Sequence, residues 1–162
     1  VAPLGEAFPD AIVDGKVDRV RLSKAVLGDD RAMKRLESIV HPLVRAGEMA
    51  FLDTAFSQGR MAAAVEVPLL LEVGGDARVD AVVLASAPAD VQRDRVLIRG
   101  GMSAEKFEQI LARQIPDDEK RRRSHFIVDT SRGFAFAEKQ VDDVLRALAG
   151  CQGSAYARRN RA

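Results

Sequence analysis

Met61-Ala-Ala-Ala-Val-Glu-Val-Pro-Leu-Leu-Leu-Glu72 is the stretch on which the reading of the fold turns. Its first half is small and apolar with one interruption, Glu66, and is too short for a helical repeat. The pattern predicts a strand over residues 61–67 covered on both faces, as in a parallel sheet, rather than one with a wet face. Pro68 has no N–H to give a ladder, so the strand is expected to end there. Leu69, Leu70, Leu71 and Glu72 then stand just beyond a carboxyl end, the edge at which open α/β sheets bind ligands.

Two further buried-strand patterns follow, Asp80-Ala-Val-Val-Leu-Ala-Ser86 and His125-Phe-Ile-Val-Asp129. A polar helix is predicted from Val91 to Arg99, and Ser103 caps another carrying Phe107, Ile110, Leu111 and Gln114. Pro116-Asp117-Asp118 begins a charged helical piece through Lys120-Arg-Arg-Arg123, and Ala137, Val141, Val144, Leu145 and Leu148 share one face of a last helix. Strand–helix alternation of this kind means right-handed crossovers and a parallel α/β sheet. Ahead of it lies a helical block. Pro3 to Phe8 reads as a short helix, Asp14-Gly15 as a turn, and Asp18 as the cap of a helix over Arg19–Leu27 that Gly28 stops. Asp30 starts another helix, which His41-Pro42 is expected to interrupt because the residue before proline avoids the helical region. Pro42 then suits the first turn of a long helix to about Gln58. This divides the chain into a helical region at 1–60, an α/β core at 61–150 with lid helices at about 90–123, and a flexible basic tail at 151–162. Three parallel strands make a thin sheet, so a further strand is expected on the N-terminal side.

At 162 residues, 47% hydrophobic and 30% charged, the chain reads as one ordinary folded domain rather than a disordered one. A formal net charge of +1 gives no global case for nucleic acid or an acidic membrane. One cysteine, Cys151, allows no internal disulfide and fits a reducing compartment. No apolar run approaches the roughly 20 residues that span a bilayer. The first residue is Val1 rather than methionine, so the start reads as a cut.

Three predicted strand ends bring polar groups to one rim: Glu72, Ser86 to Asp90, and Asp129 to Arg132. Any one of them alone is an ordinary loop residue; together they point to a site. Gln92, Arg95 and Arg99 recur three and four residues apart and share a helix face. Arginine forks suit phosphate, so a helix carrying them over the rim fits a phosphoryl-transfer lid. A solvated face paired internally with Asp90 and Asp94 fits equally well. Lys120 to Arg123 and the tail arginines 158, 159 and 161 read as solvent-facing. The two histidines and the cysteine are scattered, so no metal cluster is expected, and no G-x-x-x-x-G-K-[ST] phosphate loop occurs in the sequence.

The order Asp14-Gly15, Asp18-Arg19, Leu22, Leu36, His41-Pro42-Leu43, Val67-Pro68-Leu69-Leu70-Leu71-Glu72, Gln92/Arg95/Arg99, Gln109-Ile110-Leu111, Gln114 and Ser124-His-Phe-Ile-Val-Asp129 resembles dephospho-CoA kinases over about residues 2–149. The resemblance implies a three-layer P-loop NTPase fold, similar to nucleoside monophosphate kinases. Its parallel sheet would be incomplete here, with a helical substrate-binding insertion and a lid. It implies ATP-dependent phosphorylation of the ribose 3′-hydroxyl of dephospho-CoA, the last step of coenzyme A synthesis, in the cytoplasm, with ATP and Mg²⁺. Carried over by position, Arg95 corresponds to the lid arginine near the transferred phosphate and Arg99 to its neighbour one turn on. His41, Pro68, Leu69, Leu70 and Glu72 correspond to the acceptor side. Asp129, Thr130, Ser131 and Arg132 correspond to the loop near the adenine of ATP. Here Asp129-Thr-Ser-Arg departs from the commoner Asp-Asn-x-Gly, and His125 stands where an aspartate is usual. The family's phosphate loop, its magnesium ligand and its catalytic base are expected to lie in a segment ahead of Val1. A kinase with another acceptor, or a non-catalytic binding module without a phosphate loop, are the rival readings.

In such kinases the first strand lies between those read here at 61–67 and 80–86. Without it two backbone edges lose their partner, and unpaired buried N–H and C=O groups are costly. The 162-residue chain alone is therefore expected to aggregate or to melt without cooperativity. A sharp thermal transition by circular dichroism, from a state rich in secondary structure, would overturn this.

Overall fold

The computed structural model describes residues 2–159, and the chain divides between Val65 and Glu66 into two units. In the first unit, a helix α1 (Ala2–Ala7) and a 3-10 turn (Pro9–Ala11) lead into a hairpin of β1 (Ile12–Val13) and β2 (Lys16–Val17). The strands are antiparallel, with Ile12 opposite Val17, and Asp14 and Gly15 turn the chain at φ 50° and 71°. Two successive positive φ angles are what a two-residue hairpin turn needs, and Asp-Gly tolerates them. Asp18 caps α2 (Arg19–Val26): its Oδ1 accepts from the N–H groups of Val20 at 2.9 Å and Arg21 at 3.0 Å. Asp29 caps α3 (Asp30–Ser57) in the same way through Arg31 and Ala32. Phe8, Ala11 and Val26 form the buried centre of this unit, with Leu4, Leu22, Met33 and Leu36 packed around them.

α3 runs unbroken through His41 and Pro42, where the sequence predicts a break. Proline inside a helix removes one hydrogen bond and crowds the carbonyl four residues back, a cost of about 3 kcal/mol. A second helix would need a second nucleus, which is the unfavourable step of helix formation. Continuing through the proline avoids that step. Ser38, whose carbonyl loses its donor, is exposed to water, and its hydroxyl donates to the Arg35 carbonyl at 2.8 Å.

Residues 61–67 form no strand, and residues 68–74 are turns, contrary to the strand predicted over 61–67. Met61 is 86% exposed and Ala62 to Ala64 are exposed with it. A strand gains its stability from a ladder and from cross-strand neighbours. Small alanines with no paired edge gain neither. Among the described residues the parallel sheet of the second unit has two strands rather than three, β3 (Val83–Ser86) and β4 (Phe126–Asp129). Their register pairs Val83 with Phe126 and Ser86 with Asp129. Between them run α4 (Ala89–Ile98), α5 (Ala104–Leu111) and α6 (Asp117–Arg123), and after them α7 (Phe134–Leu148) packs against β4. His125 extends the ladder from just ahead of β4: its Nδ1 accepts the Val82 N–H at 3.1 Å, while the Val82 carbonyl accepts from the N–H groups of His125 and Phe126. An accepting Nδ1 places the ring proton on Nε2.

Of the basic tail read at 151–162, residues 160–162, Arg161 among them, lie outside the described residues. A short helix α8 (Ala155–Arg159) begins where Asp80 Oδ1 accepts from the N–H groups of Ser154 at 2.7 Å and Ala155 at 2.8 Å. Burial pushes the Asp80 carboxyl up, but these N–H groups outweigh it and hold the carboxyl below the ordinary range. Such a contribution is complete above the unfolded-state value and is lost as pH falls through the folded one. Asp80→Ala is expected to speed hydrogen exchange at the Ser154 and Ala155 amides and to cost about 1 kcal/mol, as loss of a helix cap does. Exchange as slow as in the parent protein would show that Asp80 does not hold the tail.

Candidate active site

β3 and β4 run parallel, so their carboxyl ends open at the same edge, on Ser86 and Asp129. Ser86 is 3% exposed. Its hydroxyl donates to Asp117 Oδ1 at 2.9 Å and accepts from Arg121 Nη2 at 2.8 Å, while Arg121 Nε donates to Asp117 Oδ2 at 2.6 Å. The start of α6 is thereby tied to the end of β3. The Ser86 carbonyl accepts from the Thr130 N–H at 2.8 Å and from the Thr130 hydroxyl at 3.1 Å, carrying the ladder one residue beyond the strands.

α4 leaves the rim directly after β3, and Gln92 folds back on its first turn, Nε2 donating to the Ala87 carbonyl at 2.7 Å. Arg95 reaches from α4 to the loop after β4. Its Nη1 donates to Thr130 Oγ1 at 3.0 Å and its Nη2 to the Thr130 carbonyl at 2.6 Å. Arg99, at the end of α4, is exposed and has no such partner among the described residues. Thr130 is thus brought together with Arg95, a juxtaposition that the sequence spacing does not reveal. In the same loop the Asp129 Oδ1 accepts from the Ser131 N–H at 2.8 Å, and the hydroxyl and N–H of Ser131 hold that carboxyl below its ordinary range. Gln140 on α7 clasps the loop backbone, accepting from Asp129 N–H and donating to the Asp129 carbonyl, each at 3.0 Å. The Arg132 guanidinium lies over the Phe136 ring at 4.1 Å.

Glu72 is held by Lys120 on α6 and by the backbone just ahead of that helix. Lys120 Nζ stands 3.0 Å from its Oε1, with both side chains only 15% exposed, and the Ile115 N–H donates to the same oxygen at 3.2 Å. Lys120 also donates to Gln114 Oε1 at 3.1 Å. The basic run of α6 is solvent-facing only in part. Lys120 faces Glu72 and Arg123 pairs with Asp76 at 3.1 Å, whereas Arg121, bonded to Ser86 and Asp117, and Arg122, paired with Asp118, are exposed. Four basic residues in a row on a helix must point in several directions, and this run alone does not show which carboxylates wait there. Pro68, Leu69 and Leu70 lie in the turn leading to Glu72, Leu69 exposed and Leu70 half-buried. Gly75 closes that turn, its N–H bonded to the Leu70 carbonyl at 2.7 Å; a Cβ there would meet Leu70 Cδ1 at 2.6 Å. His41 is on α3 in the first unit, beside a shallow hollow formed with Pro42, Arg45, Ala46 and Met49.

Among the described residues no three carboxylates, histidines or cysteines gather in one place. No helix among them is long and apolar enough to cross a membrane. What the rim shows is one cation, Arg95, bonded to a loop stitched to the strand ends.

The family model of CoaE, dephospho-CoA kinase, matches residues 2–135. A dephospho-CoA kinase of Mesorhizobium japonicum is 53% identical over 154 residues, which are 94% of this chain and 78% of that protein. One of Brucella melitensis is 50% identical over 150 residues, 92% of this chain and 75% of that one. Among solved structures, TT1252 from Thermus thermophilus superposes with a TM-score of 0.67 at 33% identity, over 92% of this chain and 76% of that one. A dephospho-CoA kinase from Campylobacter jejuni, at 22% identity and a TM-score of 0.55, shares the fold over 91% of this chain and 79% of its own. The α/β architecture is that of P-loop NTPases.

The Glu72–Lys120 pair gives a pH signature. Burial pushes the Glu72 carboxyl up, but Lys120 and the Ile115 N–H outweigh it and hold it below the ordinary glutamate range. The stabilisation it contributes is complete above the unfolded-state value and disappears as pH falls through the folded one. Glu72→Gln should therefore flatten the acid limb of stability between about pH 5 and pH 3. Lys120→Met, which strands a largely buried carboxylate, should cost about 3 kcal/mol at neutral pH. Urea-unfolding midpoints of the full gene product across that range check both; parallel acid limbs in parent and Glu72→Gln would remove the pair from the stability of the site.

Proposed function

The chain belongs to the dephospho-CoA kinase family, and on that premise we propose how its residues serve the transfer of a phosphoryl group from ATP to the ribose 3′-hydroxyl of dephospho-CoA. The reaction is the last step of coenzyme A synthesis, and we assign it to the cytoplasm. One observation carries the assignment of roles: Arg95, on the helix that leaves β3, lies at the carboxyl end of the parallel pair with two of its donors already engaged by Thr130. Its remaining N–H groups are open to a phosphate.

In phosphoryl transfer the protein acts chiefly by positioning and by meeting charge on the oxygens of the moving group. Arg95 supplies that charge, and Arg99, at the end of the same helix, adds a second cation. The loop Asp129-Thr130-Ser131-Arg132, stitched by Gln140 and by its own aspartate, is the nucleotide side. Pro68, Leu69 and Leu70 form the acceptor side in the second unit. Glu72 serves that side through its bond to Lys120, which holds the turn against α6. His41 keeps the acceptor role that the resemblance implies. Mg²⁺ accompanies ATP, and no step here is routed through it.

The test is ATP-dependent phosphorylation of dephospho-CoA by the full gene product, with other nucleoside and sugar acceptors as competitors. Arg95→Ala is expected to lower kcat about a hundredfold, the loss typical of one preorganised charge donor, with a smaller change in KM. Turnover within a few-fold of the parent would remove Arg95 from the mechanism. Faster turnover of a competing acceptor would reassign the substrate.

A further inference from the structure

We infer that Thr130 is a positioning residue for phosphoryl transfer, acting through Arg95; the inference rests on the role given to Arg95 above. A threonine hydroxyl has one proton and two lone pairs, and here both kinds of capacity are used. The Ser86 carbonyl, 3.1 Å away, can only accept, so the hydroxyl proton goes to it. A lone pair is thereby turned toward Arg95 Nη1 at 3.0 Å. Arginine has no acceptor, so the direction of every bond in this chain is fixed.

The anchor itself is stiff. The Thr130 N–H continues the parallel ladder to the same Ser86 carbonyl at 2.8 Å, and a β-branched side chain has few χ1 choices. Arg95, by contrast, is a long exposed side chain on α4 that would sample many rotamers if unheld. Thr130 grips it twice, through the hydroxyl to Nη1 and through the carbonyl to Nη2 at 2.6 Å. Two bonds to neighbouring atoms of one residue fix both the place and the plane of the guanidinium. The rotamer freedom is surrendered before substrate arrives, which is how preorganisation raises a rate.

The experiment compares Thr130→Val, Thr130→Ser, Arg95→Ala and the double variant Thr130→Val/Arg95→Ala in the same turnover assay, with thermal midpoints for each. Thr130→Val keeps the shape and loses the hydroxyl. It should lower kcat roughly three- to tenfold, the scale of one ordinary, partly solvated hydrogen bond, and leave KM for dephospho-CoA unchanged. Thr130→Ser, which keeps the hydroxyl, should restore most of kcat, and Thr130→Val should cost nothing further once Arg95 is alanine. Multiplicative losses in the double variant, equal losses in the valine and serine variants, or a kcat of Thr130→Val at or above the parent value would each overturn the inference. The last outcome would mean that Thr130 restrains Arg95 rather than placing it. If Arg95→Ala itself turns over normally, the reading of Arg95 fails instead. The two failures are thus separable.

Discussion

The Ser86 carbonyl accepts two hydrogen bonds from Thr130, and the hydroxyl of the same serine lies between Asp117 and Arg121. Three segments far apart in sequence therefore meet at one residue that is almost wholly buried. β3 provides it, the loop after β4 extends its ladder, and α6 docks on its side chain. A buried polar group of this kind is stable only while fully partnered, because an unmet hydroxyl or carbonyl in the interior is costly. The consequence is geometric. The loop read as the nucleotide side and the helices read as the lid are referenced to the same strand end, so a shift in either is felt by the other.

Much of this was legible in the sequence, and the legible part has a common physical cause. Asp18 and Ser103 announce helix starts through one side chain and the next few N–H groups, and both cap as expected. Asp14-Gly15 announces a turn through local φ preferences. The apolar runs at 80–86 and 125–129 each contain a strand, though shorter than the run. The misreadings are those in which a local rule met a non-local term. Pro42 carries the correct local penalty, but a helix of 28 residues continues through it. Residues 61–67 have a buried strand's composition, but composition supplies no partner edge.

The site divides in the same way. The spacing of Gln92, Arg95 and Arg99 puts them on one helix face and the resemblance singles out Arg95, yet only the fold shows that Thr130 receives it. Lys120, Arg121 and Arg123 were read as a solvated strip because a basic run carries no record of its acceptors. Glu72, Ser86 and Asp76 lie roughly 35 to 50 positions upstream of those cations in the chain, and chain separation of that size leaves no periodic trace. The one clue was that Glu72 and Ser86 already stood at predicted strand ends. A rim that gathers carboxylates and hydroxyls needs cations to satisfy them.

Arg95 and Arg99 separate two ways of using an arginine near phosphate. A held guanidinium has less freedom to lose when charge develops on the phosphoryl oxygens, so its attraction is available without reorganisation. An unheld one must give up rotamers each time it binds, and its net contribution is smaller for the same Coulomb attraction. Arg99 stands just before Gly100 and Gly101, both at positive φ, where α4 ends and the chain turns toward α5. Arg95 stands within the helix and is tied to the strand-end loop. The two positions share a helix face, but only Arg95 shares the rigidity of the sheet. Rigidity relative to the strand ends, rather than charge alone, is what makes Arg95 the stronger assignment for the transferring group.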